Sequence, residues 1–411
     1  MDLRKMLTAG VVVAAAMGTV FAVGAYADAA TDGQGQAQEV ARVALTTPNT
    51  SWEKWWNDYP DEVDSFFSGM DEVEADGKVH SHAMLYANVE NANASTTAKF
   101  GTACASCKST MVTKLYDEMG PEAFSQPWDE YSNQIDWWGC ALCHEDGEPG
   151  ADLTYGAAVA SVFGTSLLDE VDPKIAACGQ CHNFMGAIYG RGVLMEKIQS
   201  GEVAVEDCDP YRYGTDPDSL MKAALEDGYE MPVDEQTGIA TFQANHPEVE
   251  ILQGSVHGSL GLTCPDCHMP QKTNDEGNTY VSHNASSTPI ENEEALEFCL
   301  TCHSAQGIED TEAMKNFVLA AEKEVADLET VFYDKQTQAH DLIAQATAEG
   351  GVDENVLQEA RDTYTRATWY VRYADGGSEI KGQKVAHNPD MIKDYIERAT
   401  VMMDDILAML G

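Results

Sequence analysis

Positive charge is scarce in this chain. It carries 24 Lys and Arg against 69 Asp and Glu, a formal net charge of −45 over 411 residues. No arginine occurs between Arg42 and Arg191. Such a surface repels nucleic acid, and it suits either solubility or steering toward a basic redox partner. Strand-period alternation is sparse as well, so very little sheet is expected. Apolar runs of membrane-spanning length are missing beyond the N-terminus. There, Arg4 and Lys5 precede an apolar run from Leu7 to Val23, and Ala25-Tyr26-Ala27 follows. That is the pattern of a secretory signal, residues 1–27, on an exported, periplasmic or otherwise extracytoplasmic protein. The run is long for a signal, so retention as a membrane anchor is the alternative.

Cysteine is present in one repeated arrangement. Ten of the 11 cysteines fall in Cys104-Ala-Ser-Cys107-Lys108, Cys140-Ala-Leu-Cys143-His144, Cys178-Gly-Gln-Cys181-His182, Cys264-Pro-Asp-Cys267-His268 and Cys299-Leu-Thr-Cys302-His303. Four-thiolate zinc sites need no histidine after the second cysteine. Five disulfides in an exported protein would leave those histidines unexplained too. Two thiols that bond the vinyl groups of a haem, with an adjacent imidazole for its iron, explain all three positions. The Lys108 motif alone would read as a redox or disulfide pair, but it stands first in a series of five. The sequence therefore implies five haem c groups, one of them unlike the rest. Cys208 is left over as a free thiol.

Residues 28–50, rich in Ala, Gln, Gly and Thr, read as a flexible lead. Trp52, Trp55 and Trp56 mark the start of a single domain over 51–411. Residues 51–308 bind the haems and are loop-rich, because macrocycles replace side-chain core there. Residues 309–411 are helical. Met314, Phe317, Ala321, Val325, Leu328 and Phe332 recur at helical spacing up to Gly350-Gly351. Asp353 can cap a second helix carrying Val356, Ala360, Ala367 and Val371, which Gly376-Gly377 ends. Asn388-Pro389 opens a third, through Met391, Ile392, Ile396 and Met403 to Leu410. The fold class is mainly α: a loop-rich multihaem cytochrome c with long C-terminal helices.

Five haems have ten axial positions, and the motifs fill five. His80, His82, His246, His257, His283, His340 and His387 lie outside the motifs. One Lys motif followed by four His motifs resembles the pentahaem ammonia-forming cytochrome c nitrite reductase family. Asn245-His246-Pro247-Glu248, Ser255-Val256-His257-Gly258 and Thr263-Cys264-Pro265-Asp266-Cys267-His268-Met269-Pro270 carry the likeness further. The resemblance implies distal ligands at His82 for the third haem, His283 for the second, His387 for the fourth and His257 for the fifth; His80 competes with His82. It implies a catalytic haem on Lys108 with an open position facing His246. An amine without an aromatic ring changes how that iron holds a small ligand opposite. The resemblance also implies a homodimer through the C-terminal helices and a membrane-anchored multihaem quinol dehydrogenase, or another redox donor, as partner.

The likeness fails in the distal pocket. The family places an arginine and a tyrosine where this chain has Ala94 and Met185. Those groups stabilise an oxyanion and deliver protons. Tyr189, Arg191 and Lys99 are the candidate substitutes. A calcium-ligating glutamate is replaced by Phe184, while Gln243 and Asn245 occupy other calcium positions, so a tight calcium site loses its carboxylate. Ala105 replaces a frequent tryptophan. Three readings stand: reduction of nitrite to ammonium, reduction of another small oxidant such as hydroxylamine, sulfite or an organic acceptor, and a non-catalytic electron conduit.

Overall fold

The structure, a computed structural model, describes residues 57–67, 110–131, 140–144, 152–153, 170–184, 197, 200–204, 207, 209–242, 246–285, 288–376 and 381–411. The signal, the lead and the early tryptophans lie outside these residues. Short helices precede long ones: α1 Pro60–Phe67, α2 Thr110–Met119, α3 Pro173–Gly179, α4 Pro217–Glu226, α5 Glu248–Gln253, α6 Val256–Ser259, α7 Cys264–His268 and α8 Glu293–His303. Then come α9 Thr311–Glu349, α10 Glu354–Asp375 and α11 Pro389–Leu410. Among the described residues the sheet is one antiparallel hairpin, β1 Gln271–Thr273 with β2 Thr279–Val281, and Gln271 lies opposite Val281. The mainly α class with little sheet is what the sequence patterns called for.

The long helices begin and end on the residues their sequences mark. Asp310 accepts from the Ala313 amide at 2.8 Å, Asp353 from Asn355 at 2.9 Å and Asn388 from Met391 at 3.3 Å. Each satisfies an amide that the first helical turn leaves without a partner. Gly376, at φ 61°, closes α10 in the left-handed region that a side chain disfavours. Val325, Phe332, Ala339 and Ile343 of α9 are buried. They pack with Ala360, Ala367 and Val371 of α10 and with Ile392, Ile396, Ala399, Met403 and Ile406 of α11. One apolar stripe per helix thus makes the main core.

That core reaches back into the earlier chain. Trp369 Nε1 donates to the Pro217 carbonyl at 2.7 Å and Tyr373 to that of Thr215 at 2.6 Å. Arg366 meets Asp218 through two nitrogens, at 2.9 and 2.5 Å. The rings of Phe184, Phe242 and Trp369 lie 4.6–6.0 Å apart by centroid. Helix α10 is therefore packed directly on the segment that leaves the third cysteine motif. Among the described residues no helix is long and apolar enough to cross a membrane.

Burial sets the cost of truncation along α9. Phe332 is 0% exposed and its neighbour Val331 is 48% exposed. Denaturant unfolding of Phe332→Ala should show a loss of about 3–5 kcal/mol, and Val331→Ala a change within about 0.5 kcal/mol.

Candidate haem-binding centres

Each described motif is a single helical turn. His144 N donates to Cys140 O at 2.8 Å and His182 N to Cys178 O at 3.0 Å. Motif four is α7 itself, and motif five is the last turn of α8. In a helical turn, positions i, i+3 and i+4 share one face, so two sulfurs and one imidazole project together. Cys143, Cys178, Cys264, Cys267, Cys299 and Cys302 form no disulfide.

The residues between the cysteines place the motifs. Gln180 Nε2 donates to the carbonyl of Leu142 and to that of Ala177, both at 2.7 Å, tying the third motif to the second. Asp266 accepts from the amide and hydroxyl of Thr263, both at 2.7 Å, and fixes the start of α7. Helix α7 touches α3 on one side and α8 on the other. Motifs two to five thus form a connected series.

Opposite three motif histidines stands a second imidazole. Ring centroids are 6.4 Å apart for His144 and His283, 6.2 Å for His268 and His387, and 6.3 Å for His257 and His303. An imidazole nitrogen sits about 2 Å from a first-row metal, so with ring radius added one ion between two rings gives a separation of about 6 Å. The second imidazoles are held by backbone carbonyls. His283 Nδ1 donates to Val281 at 2.9 Å, His257 Nδ1 to Ala386 at 3.1 Å and His387 Nδ1 to Lys384 at 3.2 Å. A carbonyl only accepts, so Nδ1 carries the proton and the Nε2 lone pair is left for a metal. His144 and His303 each bury an Nδ1 that lacks a hydrogen-bond partner, an orphan of the kind a bound group or water resolves.

Apolar surface around one pair fits a macrocycle. Val256 and Leu260, 68% and 66% exposed, flank His257. Phe317 lies 5.6 Å from the His303 ring. Its periodicity assigned it to the buried stripe of α9, yet it is 48% exposed, because it points at the fifth motif rather than at the helical core.

The fourth described motif histidine has different company. The rings of His182 and His246 meet edge to face at 5.0 Å. His246 is the one described non-glycine residue with positive φ, 64°, a strained backbone of the kind that clusters at functional sites. Glu248 lies between them, Oε2 3.6 Å from His182 Nδ1 and Oε1 3.7 Å from His246 Nδ1. Lys384 Nζ reaches Glu248 Oε1 at 2.5 Å. Burial opposes ionisation of Glu248, but Lys384 and the imidazoles hold its carboxyl well below the usual range. The two imidazoles and the carboxylate are close enough to hold a metal ion. The Lys384 ammonium, however, already supplies the cation that carboxylate needs.

Beside this group, Glu250 is buried. Its Oε1 accepts from Tyr211 OH at 2.6 Å and from the Phe184 amide at 2.8 Å, while Oε2 has no partner. Phe184 is fully buried among Phe242 and Trp369 and offers no side-chain oxygen. Sequence reading left Glu248, Glu250, Tyr211 and Lys384 without roles. Glu248 stands two residues after His246, which was a signal; its pairing with Lys384, 136 residues away, had none.

Cys104, Cys107, Lys108 and His82 lie outside the described residues. So do His80, Ala94, Lys99, Ala105, Met185, Tyr189, Arg191, Cys208, Gln243 and Asn245. His340 is on α9, with its ring 6.2 Å from Tyr364.

A family model described as Cytochrome c552 matches residues 76–408. The fold is similar to the solved structure of the cytochrome c nitrite reductase catalytic subunit from Desulfovibrio desulfuricans, whose title speaks of two calcium sites. The TM-score is 0.60 at 18% identity, over 85% of this chain and 70% of that one.

Two outcomes test this geometry. A Cβ on Gly258, next to His257, would strike the Leu252 carbonyl. Gly258→Ala should displace α6 and convert one low-spin haem signal to high-spin in EPR, with covalent haem content unchanged. The second concerns pH. Burial pushes the Glu250 carboxyl up from 4.5 to about 7, against the pull of the Tyr211 and Phe184 bonds. The folded state then holds a proton that the unfolded state has released, so stability is fullest below about pH 4.5 and declines toward pH 7. Glu250→Gln cannot ionise. Across that window wild type should lose about 3 kcal/mol relative to it in denaturant unfolding, at roughly 1.4 kcal/mol per pH unit.

Proposed function

The chain belongs to the cytochrome c552 family, and from that premise we propose that it is an exported pentahaem cytochrome reducing nitrite to ammonium at a haem ligated by Lys108. The carrying observation is the set of three opposed imidazole pairs, at 6.2–6.4 Å, in motifs two, four and five. With His82 assigned to His182, every His motif has its distal partner. Lys108 alone is left without one, and His246 remains as the histidine for its open side.

The residues divide the task simply. Cys104, Cys107, Cys140, Cys143, Cys178, Cys181, Cys264, Cys267, Cys299 and Cys302 tether the haems, and Lys108, His144, His182, His268 and His303 ligate from the motif side. His82, His283, His387 and His257 would supply the second imidazole to the haems of the four His motifs. When bound, the haems supply electron transfer and one iron position for a small oxidant. His246 donates hydrogen bonds and protons to that oxidant. The connected motifs favour stepwise electron delivery toward Lys108. Calcium is not part of this proposal, because Phe184 brings an aromatic ring where a carboxylate is needed. A membrane-anchored multihaem quinol dehydrogenase is the proposed donor. Exposed Val401 on α11 supports a homodimer through the C-terminal helices.

A second reading rests on Ala94 and Met185. Losing one catalytic hydrogen-bond donor costs on the order of 10²–10³ in turnover. Without the family's Arg and Tyr, hydroxylamine, sulfite or an organic acceptor becomes the competing substrate, and electron transfer alone the competing role.

Low-temperature EPR of the oxidised holoprotein should show one high-spin haem whose signal changes with nitrite. Reduced viologen should then be consumed when nitrite is added. Turnover of hydroxylamine or sulfite with no response to nitrite replaces the substrate. An all-low-spin spectrum that nitrite leaves unaltered removes the enzyme reading.

A further inference from the structure

We propose that the Glu248–Lys384 ion pair is a shared support for three imidazoles, which makes Glu248 a positioning residue for both the third haem and His246. The part concerning His246 rests on the reading of that residue as the open-side histidine. The part concerning His182 needs only the third motif.

The geometry begins at α5. Glu248 opens this helix directly after His246 and Pro247. Its first oxygen lies 2.5 Å from Lys384 Nζ and 3.7 Å from His246 Nδ1. Its second is buried, lacks a hydrogen-bond partner, and lies 3.6 Å from His182 Nδ1. A buried carboxylate oxygen is costly without a donor, and the His182 ring nitrogen is the donor set before it. The backbone repeats the link, since Val249 N donates to the His182 carbonyl at 3.3 Å. Glu248 therefore stands where the outer partner of a metal-ligating histidine stands, fixing ring orientation and raising ligand basicity.

Lys384 extends the support to another centre. Its carbonyl accepts from His387 Nδ1 at 3.2 Å while its ammonium holds Glu248. One residue thus fixes the tautomer of the fourth haem's second imidazole and anchors the carboxylate behind the third. The C-cap of α10 closes the assembly. A Cβ on Gly376 would lie 3.3 Å from Lys384 Cε and 3.6 Å from Glu248 Oε1, so the α10 cap packs directly on the pair. The long C-terminal helices reach the haem-binding region through this contact.

Glu248→Gln keeps the volume and removes the charge. In the purified holoprotein it should keep all covalent haems and move one low-spin haem to a more positive reduction potential, in a spectroelectrochemical titration without substrate. The g values of that haem, which report the angle between its axial imidazoles, should shift in EPR. Turnover should fall about 10–100-fold, the usual effect of losing an outer partner of a metal ligand. Glu248→Asp keeps the charge with shorter reach, and should move the same haem in the same direction by less; it also serves if the Gln variant does not accumulate. Unchanged potentials and g values in the variants overturn the proposal. Because the potential is read without nitrite, that failure leaves the nitrite reading standing, and failure of nitrite turnover leaves the potential shift standing.

Discussion

Three pairs of imidazoles stand 6.2–6.4 Å apart, centre to centre, the separation that one metal ion held between two ring nitrogens requires. The arrangement is favourable when something flat and apolar fills the gap. One imidazole of each pair comes with its cysteines on a helical turn and needs no long-range information. The other must be delivered from elsewhere in the chain, with its Nε2 already facing inward. Backbone carbonyls at Val281, Ala386 and Lys384 do that by taking up Nδ1–H. The strand and the loop carrying these carbonyls must therefore be rigid, and much of the remaining structure supplies that rigidity.

The C-terminal helices are the largest part of that supply. Their apolar stripes bury against one another, and α10 also bonds to the carbonyls of Thr215 and Pro217 and packs on Phe184 and Phe242. Asn388, the cap of α11, donates to the Ile251 carbonyl at 3.1 Å from the residue next to His387. The cap that starts the last helix thus also fixes the loop delivering one imidazole. Helical core and haem-binding region share these contacts.

Sequence made some of this legible and hid the rest for physical reasons. Cys-x-x-Cys-His works within one turn, and Asp353, Asn388 and Gly376 act within a residue or two of themselves, so local reading finds them. Phe317 misled because helical periodicity shows which residues share a face but not what faces them; a haem pocket and a helical core both attract a phenylalanine. Glu248 and Lys384 were hidden because an ion pair between distant residues leaves no periodicity. In a chain with 69 acidic residues, an acid that meets two imidazoles looks like all the others. Phe184 was legible as a substitution, but its burial among Phe242 and Trp369 was not.

The scarcity of cations bears on where the few are spent. Arg361, Arg366 and Lys384 are held against specific partners in the fold: the carbonyl of Thr237, the carboxylate of Asp218 and that of Glu248. A surface acid without a cation costs little, because water and salt screen it. A buried acid has only two stable conditions, paired or protonated. Glu248 takes the first, with Lys384. Glu250 is shifted toward the second, because burial pushes its carboxyl up to about 7. Two glutamates two positions apart on one short helix are thus shifted in opposite directions, Glu250 up by burial and Glu248, despite its burial, down by the Lys384 ammonium and the two imidazoles. The loop before α11 that brings Lys384 also carries His387, so the cation that keeps Glu248 ionised arrives on the same segment as an imidazole proposed to ligate iron. Folding of the C-terminal region then positions the His387 imidazole and sets the charge on Glu248 together.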